Sequence, residues 1–257
     1  MILERERRGG VEILRLNRPD ARNAMSPELS LAIEHALDEI EGDRAVTAVV
    51  ITGTGPVFCA GADLKVIAGG GGADINAPKG GFAGVATRDF PKPIIAAVNG
   101  TAVAGGFELV LACDLVVSAD DATFGLPEVK RGLLAAAGGP IRLAKRVPLA
   151  TALEIVMTGD PITAQRAYDL GLVNRLVPAD NVVDEAVALA ERIAENSPSA
   201  VRIGRRLVKD ATELTEARGW ERTYELAREL GKTGDGIEGA RAFAEKRKPV
   251  WSEDRPG

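Results

Sequence analysis

With 32 Lys and Arg against 37 Asp and Glu, this chain of 257 residues carries a net charge of −5, which excludes a broad basic surface for nucleic acid. Hydrophobic residues make up 46% of it, enough for a substantial core. No apolar run approaches the roughly 18–20 residues of a membrane span, and the charge-alternating start Met1-Ile-Leu-Glu-Arg-Glu-Arg-Arg8 lacks the apolar centre of a signal peptide, so a cytoplasmic protein without membrane contact is expected.

Residues 2–7 and 11–16 predict two short strands joined as a hairpin at Gly9-Gly10. After the loop from Asn17 to Asn23, Ser26-Pro27-Glu28 supplies a cap, a first-turn proline and an early acid for a helix to about Glu41. Its apolar positions, Leu29, Ile33, Ala36, Leu37 and Ile40, fall on one face, while the single histidine, His35, reads as a surface or boundary residue. Ala48 to Thr52 is an apolar, β-branched run that suits a buried strand.

The turn after that strand, Gly53-Thr-Gly-Pro-Val-Phe58, resembles the opening of a dinucleotide fingerprint. Phe58 replaces the third glycine and Pro56 interrupts the turn, so a nicotinamide site is not read here. The following Ala60-Gly61-Ala62-Asp63 is a small-residue turn in which backbone N–H groups can approach a ligand, or equally a tight loop with a helix cap at Asp63. From Ala68 to Arg88 the periodicity disappears among glycines, and a flexible wall of a binding site is expected. Pro93 to Val98 returns to strand pattern, and Asn99-Gly100 turns the chain.

The stretch Ala102-Val-Ala-Gly-Gly-Phe-Glu108 then places an acid inside an apolar run. A buried carboxylate costs several kcal/mol unless it is paired, hydrogen-bonded or protonated, so Glu108 is either supported or chemical in purpose. If Gly105-Gly106 opens a helix, Glu108 lies in its first turn, where the helix dipole favours an anion. Asp114 reads as a polar end residue before the strand Leu115–Ser118. Glu128, after Pro127, could be an ordinary helix-start acid or the partner of Glu108. Cys59 and Cys113, both in apolar surroundings, read as reduced core residues.

Pro140 suits the first position of a helix through Val147, followed by helices over 149–157 and over 163–170, the latter capped by Thr163 and closed by Gly171. A last strand is expected over Leu172–Val177. Helices over 181–196, 199–213, 215–230 and 237–246 complete the chain, and the organisation expected is a core over 1–197 with a helical, oligomerising region over 198–257.

Several of these segments together, Phe58-Cys-Ala-Gly-Ala-Asp-Leu-Lys65, Ile95-Ala-Ala-Val-Asn-Gly100, Gly105-Gly-Phe-Glu-Leu109, Cys113-Asp114 and Phe124-Gly-Leu-Pro-Glu128 with Gly138-Gly139, resemble the enoyl-CoA hydratase/isomerase, or crotonase, superfamily. Asn17-Arg-Pro19, Thr158-Gly159, Gly171-Leu-Val173 and Ala242-Phe-Ala-Glu-Lys-Arg247 extend the resemblance nearly end to end. It implies an α/β fold, a crotonase-like spiral of β-β-α repeats with a C-terminal helical region, assembled as a homotrimer or as a hexamer of two trimers. It also implies an acyl-CoA thioester substrate. The backbone N–H groups of Ala62 and Gly105 would form an oxyanion hole. Asp20, Ala21 and Arg22 would meet the nucleotide end of coenzyme A, and Ala60, Asp63, Leu64 and Lys65 would lie along the bound thioester.

On this resemblance Glu108 and Glu128 become an acid/base pair for adding water across a trans-2-enoyl-CoA double bond, and no metal or redox cofactor is expected beyond the coenzyme A of the substrate. Two glutamates imply a hydratase rather than a one-carboxylate isomerase. The Gly-Phe-Glu-Leu segment and the ending Lys-Pro-Val-Trp251 also resemble the carnitinyl-CoA dehydratase branch, which acts as a crotonobetainyl-CoA hydratase. Phe107 and Leu134 to Gly138 are expected to line the acyl pocket. A crotonase-fold protein that binds acyl-CoA without catalysis is the reading from a different class, disfavoured by the retention of both glutamates.

Overall fold

The computed structural model describes residues 1–252. The expected hairpin forms from β1 (Leu3–Arg8) and β2 (Val11–Leu16), paired antiparallel. Helix α1 (Pro27–Gly42) starts as anticipated, with the Ser26 hydroxyl accepting from the Leu29 N–H and Pro27 in the first turn, and it buries Leu29, Ile33, Leu37 and Ile40. His35 is exposed on its outer side.

The next three segments repeat one plan. A long, buried strand is followed by a short strand and then a helix: β3 (Ala48–Gly53), β4 (Val57–Cys59) and α2 (Leu64–Ala68); β7 (Ile94–Val98), β8 (Thr101–Val103) and α3 (Gly105–Ala112); β9 (Leu115–Ala119), β10 (Thr123–Gly125) and, after a 3-10 turn at Pro127–Arg131, α4 (Gly139–Arg146). The long strands form a six-stranded sheet in the order β1-β2-β3-β7-β9-β12, parallel from β2 onward, in which β12 is Arg175–Val177. The short strands form a second sheet in the order β11-β10-β8-β4, where β11 is Ile162–Thr163. This is the spiral of β-β-α repeats that the resemblance implied.

Between the first and second repeats the segment read as a flexible loop is ordered. It contains a 3-10 turn at Gly72–Ile75 and a small hairpin of β5 (Asn76–Ala77) and β6 (Gly81–Phe82). The buried Glu34 carboxylate of α1 holds this hairpin, accepting the Lys79 N–H at 2.8 Å and the Gly80 N–H at 2.7 Å. Two-residue strands are too short for periodicity to register, which is why the sequence read as structureless.

Helices α5 (Leu149–Thr158) and α6 (Ala164–Asp169) follow α4, and α6 is capped by Thr163 as expected. The last strand is shorter than the run from Leu172 to Val177. Helices α7 (Val182–Ala194), α8 (Pro198–Ala211), α9 (Glu216–Gly231) and α10 (Asp235–Ala244) close the described chain. The chain forms two compact units, Met1–Ala190 and the residues from Glu191 onward. In the second unit Asp235 is buried and accepts from the Ser197 hydroxyl at 2.6 Å and the Ser252 N–H at 2.7 Å.

Candidate active site

Parallel pairing decides where the candidate residues meet. In the second sheet β4, β8 and β10 run parallel, with Cys59 beside Ala102 and Val103 beside Gly125. Their C-terminal ends therefore lie together, and each is followed by site candidates: the loop Ala60 to Asp63, Ala104 with the first turn of α3 to Glu108, and Leu126 with the start of the 3-10 turn to Glu128. The mouth of parallel strands at their carboxyl ends is where open α/β sheets form ligand crevices. Here it opens into a cavity of about 400 Å³.

The first loop is tied on both sides. Met25 donates to the Gly61 carbonyl at 2.7 Å and accepts from the Asp63 N–H at 2.9 Å, so the Ala62 N–H between them faces away from Met25, by the alternation of an extended chain. Gly61 has φ +95°, and a Cβ there would come within 2.7 Å of the Ala104 Cβ and 2.9 Å of the Gly105 nitrogen. Only glycine lets the two loops sit this close. Ala104 itself has φ 52° and ψ −132°, a strained conformation for a residue with a side chain. It delivers the chain into α3, whose first N–H, at Gly105, has no acceptor inside its own helix. Asp63 serves as the cap of α2, accepting from the Lys65 N–H at 3.1 Å, and pairs with Arg18 at 3.0 Å; that hydrogen bond holds its carboxyl below the usual range.

Glu108, in the first turn of α3, is buried. Its Oε1 accepts the Ala137 and Gly139 N–H groups, both at 2.8 Å, and a Cβ on Gly139 would lie within 2.9 Å of Glu108 Cγ and Oε1. Burial raises its pKa, against which the two N–H donors and the nearby Arg142 guanidinium act. Arg142 anchors this arrangement by donating to the Ala137 carbonyl at 2.9 Å and to the Ala86 carbonyl. Glu128 is buried too, and burial, assisted by the charge of Glu108, pushes it up to about 7. Its Oε2 is buried and has no hydrogen-bond partner among the described residues. The two carboxyls thus differ in environment: one is hydrogen-bonded as an acceptor, the other is driven toward its neutral form.

Of the residues anticipated from sequence, Arg22, Ala60, Ala62, Leu64, Gly105, Glu108 and Glu128 line the cavity. Asp20, Ala21, Asp63 and Lys65 do not: Asp20 and Ala21 form a 3-10 turn before the left-handed Arg22, Asp63 is turned into its cap, and Lys65 is exposed. Phe107 also departs from expectation. One helical position away from Glu108, it is buried against Phe124 with ring centroids 5.5 Å apart. Leu134, Ala136 and Ala137 line the cavity as expected of the segment from Leu134 to Gly138, and Ile67, Ile75, Phe82 and Leu133 add apolar lining that was not anticipated. Arg131 on the lining and Arg142 behind Glu108 were not foreseen; the spacing of three between Glu128 and Arg131 was the available signal, but it points to one face only once the turn is known to be 3-10.

The two cysteines are free and buried, and burial pushes the Cys59 thiol up to about 12, in keeping with core residues. No helix of the described residues is long and apolar enough to cross a membrane.

Comparison with known proteins gives one consistent result. The family model described as Enoyl-CoA hydratase/isomerase matches residues 6–254. The chain is 39% identical over 254 residues to a carnitinyl-CoA dehydratase from Proteus mirabilis, covering 95% of each. A solved enoyl-CoA hydratase from Mycobacterium tuberculosis superposes with a TM-score of 0.92 at 41% identity, covering 97% of this chain and 98% of that one. A solved carnitinyl-CoA hydratase from Mycobacterium avium is 48% identical with a TM-score of 0.78, covering 97% and 98%.

Proposed function

The chain belongs to the enoyl-CoA hydratase/isomerase family, and on that footing we propose that it is a hydro-lyase adding water across the double bond of a trans-2-enoyl-CoA. The observation that carries this reading is the pair of buried glutamates on one cavity, Glu108 held by two backbone N–H groups and Glu128 raised to about 7 with an unpartnered oxygen. Glu108 as carboxylate takes a proton from water while the water oxygen bonds to the β-carbon. The double-bond electrons move through the α-carbon onto the thioester oxygen, and the return of that charge to the α-carbon takes the proton of Glu128.

The negative charge on the thioester oxygen would be met by the Ala62 and Gly105 N–H groups, each worth about 3 kcal/mol where such donors are fixed in advance. Every proton and electron pair is then accounted for by the chain, water and substrate, so we read the reaction as needing no resident cofactor beyond the substrate's own coenzyme A. Arg22 on the lining supports an approach of coenzyme A from that loop. A cytoplasmic enzyme assembled as a trimer or hexamer accords with the family resemblance.

The test is turnover of crotonyl-CoA followed by loss of the conjugated thioester absorbance. Glu108→Gln and Glu128→Gln should each lower kcat by at least about 100-fold. Near wild-type turnover in both variants would overturn the mechanism. A second reading, hydration of crotonobetainyl-CoA, is favoured by the likeness to the carnitinyl-CoA enzymes, and offering both substrates in parallel separates the two.

A further inference from the structure

Arg131 ends the 3-10 turn that begins at Pro127, and it lies on the cavity lining. Three residues make one turn of such a helix, so side chains at i and i+3 stand one above the other. Arg131 therefore shares the face of Glu128, displaced by about 6 Å along the turn. Its guanidinium has no ion pair or side-chain hydrogen bond among the described residues, whereas its neighbour Lys130 pairs with Asp160 at 2.5 Å. The same cavity is lined by the apolar side chains of Leu133, Leu134, Ile67 and Phe82. The charge of Arg131 acts on the Glu128 carboxylate, lowering that group's pKa against the effect of burial, but it makes no hydrogen bond to it, so the exposed guanidinium at the rim keeps its five donors open to a carboxylate or phosphate.

We propose that Arg131 is a specificity-determining residue that binds a carboxylate at the far end of a short acyl group, making this a hydratase for acidic enoyl-CoA thioesters. The proposal rests on the hydratase reading above and deepens it. Distance selects the acyl end over the phosphates of coenzyme A. Glu128 must reach the α-carbon, and a group about 6 Å further on corresponds to a carboxylate only a few carbons along the acyl chain. The phosphates lie a whole pantetheine arm away on the other side of the thioester. The other lining cation, Arg22, belongs to that side: its carbonyl accepts from the Ala60 N–H at 3.0 Å, in the loop that carries Ala62.

The same cation repels a trimethylammonium group at that position. Phe82 is the one aromatic residue on the lining among the described residues, so the several aromatic faces that cage a quaternary ammonium are not assembled there. Arg131 thus opposes the crotonobetainyl substrate even though relatives carry the carnitinyl name.

Three trans-2-enoyl-CoA thioesters of similar length test the assignment, differing in the charge at the acyl end: glutaconyl-CoA (negative), crotonyl-CoA (neutral) and crotonobetainyl-CoA (positive). For wild type, kcat/KM is expected to fall in that order. In Arg131→Leu the ratio of glutaconyl-CoA to crotonyl-CoA should drop at least about 10-fold, the low end for a charge-assisted pair at an open rim. Arg131→Lys should keep part of the preference and Arg131→Glu should reverse it toward crotonobetainyl-CoA. Because each ratio is taken within one variant, a loss of folded protein cancels. Ratios unchanged by all three substitutions, or a wild-type preference for crotonobetainyl-CoA, would overturn the proposal and leave the hydratase reading intact. Calorimetric binding of the saturated pair glutaryl-CoA and butyryl-CoA decides the converse: tighter glutaryl-CoA binding that Arg131→Leu abolishes, without turnover of any enoyl thioester, keeps the anion site and rejects the hydratase. Equal binding of the two with no turnover rejects both.

Discussion

At Glu128 the chemistry and the energetics of folding pull in opposite directions. Burial raises its carboxyl from 4.5 to about 7, so between those values the folded protein keeps a proton that the unfolded chain has released. Stability therefore falls as pH rises across that window and is level above it. Glu128→Gln carries no such proton. Its melting temperature should match wild type near pH 4, rise above it as pH climbs toward 7, and hold that lead at pH 8. In wild type, kcat/KM should decline as pH rises through about 7, because the proposed acid loses its proton. A wild-type melting temperature equal to that of the variant at every pH would mean that Glu128 titrates normally. At this scale Glu108 was visible in the sequence as an acid in an oily run, but its support was not: Ala137 and Gly139 are far from it in the chain, and nothing local reveals a hydrogen bond across that gap.

Among the elements, the small hairpin over β5 and β6 is where reading and structure part most. Glycines and missing periodicity pointed to a mobile wall, yet Glu34 fastens the hairpin to α1 through two backbone N–H groups, and Phe82 at its end lines the cavity. Removing the carboxylate leaves the buried Gly80 N–H and the partly buried Lys79 N–H without their acceptor. Glu34→Ala is therefore expected to cost about 2 kcal/mol of stability in denaturant unfolding. Because the hairpin forms wall rather than catalytic group, KM should rise more than kcat falls. Unchanged stability together with an unchanged KM would show that the hairpin is held by its apolar contacts alone. Helix starts were the most legible elements: Ser26, Thr163 and Asp63 all cap as their chemistry predicts, since a cap is satisfied within three residues of itself.

For the whole molecule, α4 and α5 leave Ile141, Leu149, Leu153 and Met157 exposed. An apolar surface of this kind in one region marks an interaction site more often than scattered single residues do. The proposed trimer should appear in sedimentation velocity as a species of three times the chain mass, or six times for the hexamer, and a monomer at micromolar concentration would remove it. The sequence by itself determined the long strands, the main helices with their caps, and Glu108 as an acid in an apolar run, because hydrophobic periodicity, capping and the cost of a buried acid are local properties; Glu128 was joined to it only by the family resemblance, and the short strands of the second sheet left no periodic signal. Only the tertiary structure decided that β4, β8 and β10 run parallel and end together, that Phe107 turns away while Phe82 turns in, and that Arg131 joins Glu128 on the cavity lining. Those outcomes depend on which strands pair and on which turn type follows Pro127, and contacts between distant segments decide both.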